Sequence, residues 1–317
     1  MSAVADTGTV ARGRLDLKRT APTTNRLDRQ RFHWGSVPLL APAAVLLVVL
    51  FLAPVAYSFY LGLTNLELIG PTSRHYQFTG IDNINYLIHD VVFHQSLYLT
   101  AFFVIGSGVI GAAGIGLALA LAMQKALNSA RLLVGAIVMV CFMLPPITAA
   151  ILWYAASTSG GSLPTLFGTS SSDFLHSAPM VVVSAANAWS VTGLAMILFA
   201  AALRNIPGEI IEAAELENAN GVQRFVRITL PLLKPTIVTT ILLITLLSLA
   251  NFTLVYLMTG GGPGNATMIL PVYSYQQSFT FSHLAYGALV GNVMVIIATI
   301  FSALFVYFSR ERRQRED

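Results

Sequence analysis

Three polar side chains, Asn187, Ser248 and Asn251, stand inside long apolar runs of the sequence, where water is not at hand to satisfy them. Asn187 shares a helical face with Val191 and Leu194 through the i, i+4, i+7 spacing, and Ser248 and Asn251 share one with Ile244 and Leu247. Such groups can hydrogen-bond the hydroxyls of a solute crossing a membrane, or can bond neighbouring helices to one another, and spacing leaves both open. Trp189 offers an aromatic face on which a sugar ring can stack. A second group is of another kind. Glu212, Ala213, Ala214, Glu217 and Asn218, followed by Phe225, Ile228, Leu230 and Pro231, combine acids, small residues and a turn former in a stretch suited to plugging into another protein.

Covalent and redox chemistry have little to work with. A phosphate loop needs Gly-Lys-Ser/Thr, and the only lysines (Lys18, Lys125, Lys234) are followed by Arg, Ala and Pro. His-Glu-x-x-His is absent, no pair of acids lies in an apolar run, and Ser107 and Ser190 have no His at membrane depth to act as base. The single cysteine, Cys141, excludes an intrachain disulfide and a cysteine metal site. The 14 carboxylates, 18 Lys and Arg and six His all fall outside the apolar segments, so the relays of a proton- or sodium-driven carrier are missing. The chain is therefore expected to be no enzyme and to hold no cofactor or metal. If it moves a solute, another subunit must supply the energy.

The elements that must position these residues are membrane helices. Of 317 residues, 55% are hydrophobic and 10% charged, against about 25% charged in soluble domains. Residues 132–172, 174–203 and 235–309 contain no Asp, Glu, Lys or Arg. A span needs roughly 20 apolar residues, and six segments qualify: 38–63, 96–123, 132–157, 180–203, 236–258 and 284–308. The expected fold class is an all-α integral membrane protein with six transmembrane helices. A cleaved secretory signal does not fit, because the first apolar stretch starts late and is of full spanning length.

Lys and Arg fix an orientation. The tail before the first span holds seven, the turn between spans two and three two, the loop between spans four and five four, and the C-terminus four; the alternate loops hold only Arg74. Both termini and the loop at 204–235 are thus expected in the cytoplasm. The expected organisation is a disordered basic tail over 1–36, resting on anionic lipid headgroups rather than nucleic acid, a six-span transmembrane domain over 37–309, and a charged terminus over 310–317.

Within 204–235 the pattern predicts two short helices and a break. Pro207 opens the first, Ile210, Ala213 and Ala214 recur on one face, and Glu residues enrich its early turns. Asn218, Asn220 and Gly221 interrupt it. Phe225 and Ile228 form a second stripe, after which Pro231 and Pro235 are expected to stop the helix and restart it as the fifth span.

The run Glu212-Ala213-Ala214-x3-Asn218-x9-Ile228-x-Leu230-Pro231 resembles the EAA motif, the cytoplasmic coupling loop of permease subunits in ABC importers fed by binding proteins. Where that family usually has Asp-Gly, this chain has Glu217-Asn218, and Asn is the non-glycine residue that best tolerates left-handed backbone. Phe225, Pro231 and Pro235 fall where the sugar-importer subfamily has them. Leu40-Ala41-Pro42, Gly80-Ile81-Asp82-Asn83 with Tyr86, and the turn Thr259 to Pro263 are similar to the maltose-transporter first-subunit type. The resemblance covers roughly residues 39–307. It implies a type I ABC importer permease fold in a bacterial cytoplasmic (inner) membrane, a second homologous permease, two ATPase subunits that bind ATP and Mg, and an extracytoplasmic solute-binding protein or lipoprotein. It further implies a sugar, oligosaccharide or related polyol as solute, contacted near Asn187 and Ser248, with Trp189, Val191, Leu194, Leu247 and Asn251 beside them. Glu212 would accept hydrogen bonds or pair with a base on the ATPase. An importer for another solute and a non-transporting six-span scaffold or receptor are the alternatives.

Overall fold

A computed structural model describes residues 37–169 and 171–316, so the basic tail predicted over 1–36 lies outside the described residues. The described chain is helical, with one isolated antiparallel bridge between Thr64 and Phe78. It divides into two units, one ending at Ala53 and one beginning at Pro54. The first unit contributes an apolar helix whose residues from Val45 to Leu52 are all exposed, as suits a face against lipid.

Five helices are long and apolar enough to cross a membrane: Ala41–Leu61, Val91–Gln124, Pro179–Arg204, Gly221–Leu249 and Leu284–Tyr307. The pair Asn128–Met143 and Pro146–Ser157 is long and apolar enough only when taken together and is bent by 105°, so that the chain has up to six spans if the pair is one. The third span expected over 132–157 is thus broken near its middle. Leu144 takes extended backbone (ψ 134°) ahead of Pro145, as residues before proline do, and Pro145 in turn (ψ 141°) ahead of Pro146, which then opens the second half.

The fourth span, Pro179–Arg204, is the centre of the second unit. Small residues let its neighbours close in: a Cβ on Gly116 of the second span would stand 2.5 Å from Ala195 Cβ, and one on Gly111 would stand 2.8 Å from Ala188 Cβ. Ala112, Gly116 and Ala120 are buried on that face, a small-xxx-small seam. The second span carries a wide-turn stretch at Val104–Ala113, among its glycines.

Two further departures concern prolines and breaks. Pro231 and Pro235 do not stop the chain, because Gly221–Leu249 is one helix. The wide turn Phe225–Thr229 comes first, with Leu230 N–H bonding back to Phe225 C=O, so the ladder is already shifted before the ring of Pro231 meets it. The helix instead ends at Ala250, and Asn251 caps a separate helix, Phe252–Thr259, within the segment expected to run unbroken to 258. After the Gly260–Gly264 turn, Met268, Ile269, Leu270, Val272 and Tyr273 are all at most 4% exposed, in a stretch too short to read as a buried element from sequence.

Asp90 starts the second span five residues earlier than expected by accepting the N–H of Val92, and it also accepts the hydroxyls of Tyr273 and Tyr286. Burial works against its charge, but the two phenols and the N–H groups of Phe93 and Val92 outweigh burial and hold the carboxyl below the usual carboxylate range. A depressed carboxylate stabilises the fold above its unfolded value of about 3.9 and loses that contribution as pH falls through its folded value. Asp90→Asn is thus expected to lower the melting temperature at pH 7 and to melt with the native protein once both are held well below pH 4, by thermal scanning in detergent.

Asn83, in the patch similar to maltose-type permeases, donates to the carbonyls of Gly62 and Thr64, and Asn292 accepts from Ser58 Oγ at 2.8 Å. These bonds hold the loop after the first span and tie that span's second half to the last helix.

Candidate functional site

Asn187 lies in the first half of the fourth span with no exposed surface, and both its amide nitrogen and its amide oxygen are bonded. Nδ2 donates to Ser107 Oγ at 2.7 Å and Ser248 Oγ at 2.9 Å, and Oδ1 accepts from Asn251 Nδ2 at 2.8 Å. Ser107 Oγ donates in turn to Phe103 C=O, and Asn251 Oδ1 accepts from Leu254 N–H, which fixes the amide orientations. The second, fourth and fifth spans are thereby clamped by one amide. Gly108 makes room for this, since a Cβ there would stand 3.0 Å from Ser248 Oγ.

The sequence put Asn187 on one helical face and Ser248 with Asn251 on another; the structure places all three in one cluster. It adds Ser107, whose only sequence mark is a hydroxyl in the glycine-rich wide turn. Val191 packs in the apolar core one turn on, and Leu194 is half-buried beyond it. Leu247 does not join them: it is 46% exposed, off the face of Ser248. Trp189, two residues from Asn187, points elsewhere on the helix and meets Trp153 edge-on at 6.1 Å. The two indoles, with Leu152, Ala156 and Leu163, line a cavity of about 490 Å³.

Interhelical hydrogen bonds in membranes contribute about 0.6 kcal/mol each, so the three bonds of Asn187 come to roughly 2 kcal/mol. That is enough to set one helix arrangement and small enough for helix movement to break.

At the end of the fourth span the chain turns through Pro207 (φ −59°, ψ 132°) into the helix Gly208–Leu216. Asn218 adopts φ +57°, the left-handed conformation that the substitution for glycine has to reach. Asn218 N–H bonds Glu215 C=O and Ala219 N–H bonds Ala214 C=O, both at 3.0 Å, the pair of bonds of a Schellman C-cap. Asn220 then opens the next helix in a capping box with Gln223, and Arg224 pairs with Glu215 across the break. A rigid knob results. Its Ala214 is spent on the knob's own packing at 7% exposure, whereas Glu212, Ala213, Glu217 and Asn218 are exposed and Leu216 is 86% exposed. Phe225, Ile228 and Leu230 are half-buried where the next helix leaves the knob, and Pro231 is exposed. Asn218→Gly is expected to leave folding and transport nearly unchanged, while Asn218→Val, which resists positive φ, is expected to lower uptake severalfold; uptake into proteoliposomes holding the full complex compares the two.

Among the described residues no group of three His, Cys, Asp or Glu could hold a metal ion.

The profile of the family described as "Binding-protein-dependent transport system inner membrane component" matches residues 112–314. The chain is 30% identical over 273 residues to the trehalose transport system permease protein of Mycobacterium tuberculosis, covering 84% of this chain and 87% of that one. It is 29% identical over 289 residues to the sulfoquinovosyl glycerol transport system permease protein of Agrobacterium fabrum (87% and 91%), and 28% identical over 285 residues to the sn-glycerol-3-phosphate transport system permease protein of Escherichia coli O157:H7 (86% and 93%). A chain of the crystal structure of a bacterial ABC transporter that imports the acidic polysaccharide alginate shares the fold, with a TM-score of 0.71 over 88% of this chain and 96% of that one at 19% identity. With its apolar helices and the knob between the fourth and fifth of them, the chain belongs to the binding-protein-dependent inner membrane components, as a permease subunit of an ABC importer.

Proposed function

We propose that this permease forms half of the translocation pathway for a sugar, oligosaccharide or related polyol, and that the Gly208–Leu216 knob couples the pathway to a separate ATPase. The observation behind this is a matter of connectivity. The knob joins the fourth span to the fifth, and the clamp of Asn187, Ser248 and Asn251 bonds those same two spans to each other and, through Ser107, to the second. A displacement of the knob therefore bears on the clamp through two continuous helices. Asn187, Ser248 and Asn251 bind the solute when the clamp parts, with Val191 and Leu194 forming apolar walls; Leu247 and Trp189, which lie off this face, take no part. Relatives named for trehalose, sulfoquinovosyl glycerol and sn-glycerol-3-phosphate support that solute class.

The partners are a second, homologous permease, two ATPase subunits that carry ATP and Mg, and an extracytoplasmic binding protein that presents the solute, in a bacterial inner membrane. Both termini and the knob face the cytoplasm, where Lys and Arg concentrate. Proteoliposomes provide the test. This subunit alone is expected to neither hydrolyse ATP nor accumulate solute, and the set of both permeases, ATPase and binding protein to do both; uptake by the lone subunit would overturn the proposal.

A further inference from the structure

Near the knob, the bent third crossing and the fourth span enclose a groove of about 520 Å³ that neither the pathway nor the coupling contact uses. The two helices touch at Gly193, where a Cβ would stand 2.6 Å from Phe142 Cβ and 2.7 Å from Val138 C=O. Toward Arg131 they no longer touch: a Cβ on Gly135 would meet nothing within 4 Å. The groove between is walled by apolar side chains such as Met196 and Ala200, and Leu132 at its edge is 77% exposed, so the groove opens on the surface of this chain beside an apolar side chain, as suits contact with hydrocarbon. It lies on a different face of the fourth span from Asn187, Val191 and Leu194.

Two cations close one end of the groove. Arg131 is fixed there, with Nε donating to Met123 C=O at 3.0 Å and Nη2 to Gln124 C=O at 3.1 Å, the last carbonyls of the second span. Its Nη1 has no protein partner among the described residues, and Arg204, in the last turn of the fourth span, forms no ion pair among them. No carboxylate lines the groove. An apolar slot open to lipid, ending at the level of helix ends in two guanidinium groups that no carboxylate neutralises, has the form of a phospholipid: an acyl chain along Gly135, Met196 and Ala200, and a phosphate between the arginines. A water-soluble anion would find charge but gain nothing from the slot.

We propose that this groove binds one anionic phospholipid of the membrane leaflet on the knob's side, with Arg131 and Arg204 holding its phosphate. Arg204 stands four residues before Gly208, so a bound lipid braces the root of the knob.

Native mass spectrometry of the full transporter complex, purified in detergent and offered phosphatidylglycerol or phosphatidylcholine, tests this. The native complex is expected to retain one phosphatidylglycerol in preference to phosphatidylcholine. Arg204→Gln should lower occupancy roughly fivefold, the contribution of one cation near an anionic lipid, while Arg204→Lys should keep most of it. Gly135→Leu and Ala200→Leu, which fill the slot from opposite walls, should each empty it with assembly intact. Equal retention in the native protein and all filled variants, equal retention of phosphatidylcholine, displacement of the lipid by inorganic phosphate alone, or occupation of the slot by a helix of the second permease would each overturn it.

Discussion

Ala213→Asp is expected to release the ATPase from the membrane subunits and to abolish uptake. Ala213 is exposed on the knob, so the substitution has no native packing to disturb and the subunit should fold and insert as before. In a packed contact, however, the new carboxylate stands one residue from Glu212, with neither water nor a base of its own. An unpaired buried charge costs roughly 3–5 kcal/mol, or about two to nearly four orders of magnitude in affinity. Co-purification of the ATPase with the tagged permease reads the first effect and solute uptake the second. The rigidity of the knob explains the severity: the Schellman cap at Asn218, the capping box at Asn220 and the Arg224–Glu215 pair leave it unable to yield around the added group. Full ATPase binding in this variant would remove the knob from the coupling contact.

Asn187→Leu carries the second large effect. Leucine shares asparagine's branching at Cγ and its number of side-chain heavy atoms and is welcome in the apolar span, but it leaves Ser107, Ser248 and Asn251 without their common partner. Each buried polar group left unsatisfied costs about 1–3 kcal/mol, so the clamped arrangement should be markedly destabilised and the solute should lose its central hydrogen-bonding group. The expected result is uptake reduced by an order of magnitude or more, with the ATPase still bound and hydrolysing ATP but no longer stimulated by solute-loaded binding protein. Ser248→Ala removes only one acceptor and should reduce uptake less. Unchanged transport kinetics in Asn187→Leu would move the pathway contacts to the partner permease.

The residues that matter were legible in the sequence to different depths. The spans were plain because charge-free runs of such length have one physical use. The break at Asn218 could be anticipated from the known tolerance of Asn for left-handed backbone, and its φ of +57° fits that chemistry. Asn187, Ser248 and Asn251 were visible as polar residues in apolar runs, but their convergence depends on how three helices are rotated, which one helix's periodicity does not encode. Ser107 went unremarked as a partner for the same reason. Proline misled in both directions: composition reads 132–157 as one span without regard to Pro145 and Pro146, which bend it, while Pro231 and Pro235, expected to stop a helix, sit inside a continuous one, Pro231 just after a wide turn. The buried stretch from Met268 to Tyr273 is apolar but short, and only its neighbours make it core.

The most direct test of the account is whether the knob moves the clamp. Spin labels at Ile110 and Leu247, exposed positions on the second and fifth spans, report the separation of two spans that Asn187 joins, once Cys141 is replaced by serine. In the assembled complex, double electron–electron resonance should show the label distance shifting when a non-hydrolysable ATP analogue closes the ATPases, and Ala213→Asp should hold it at the nucleotide-free value. A distance that ignores nucleotide in the native complex, or that shifts as fully in Ala213→Asp, would contradict the coupling of knob to clamp.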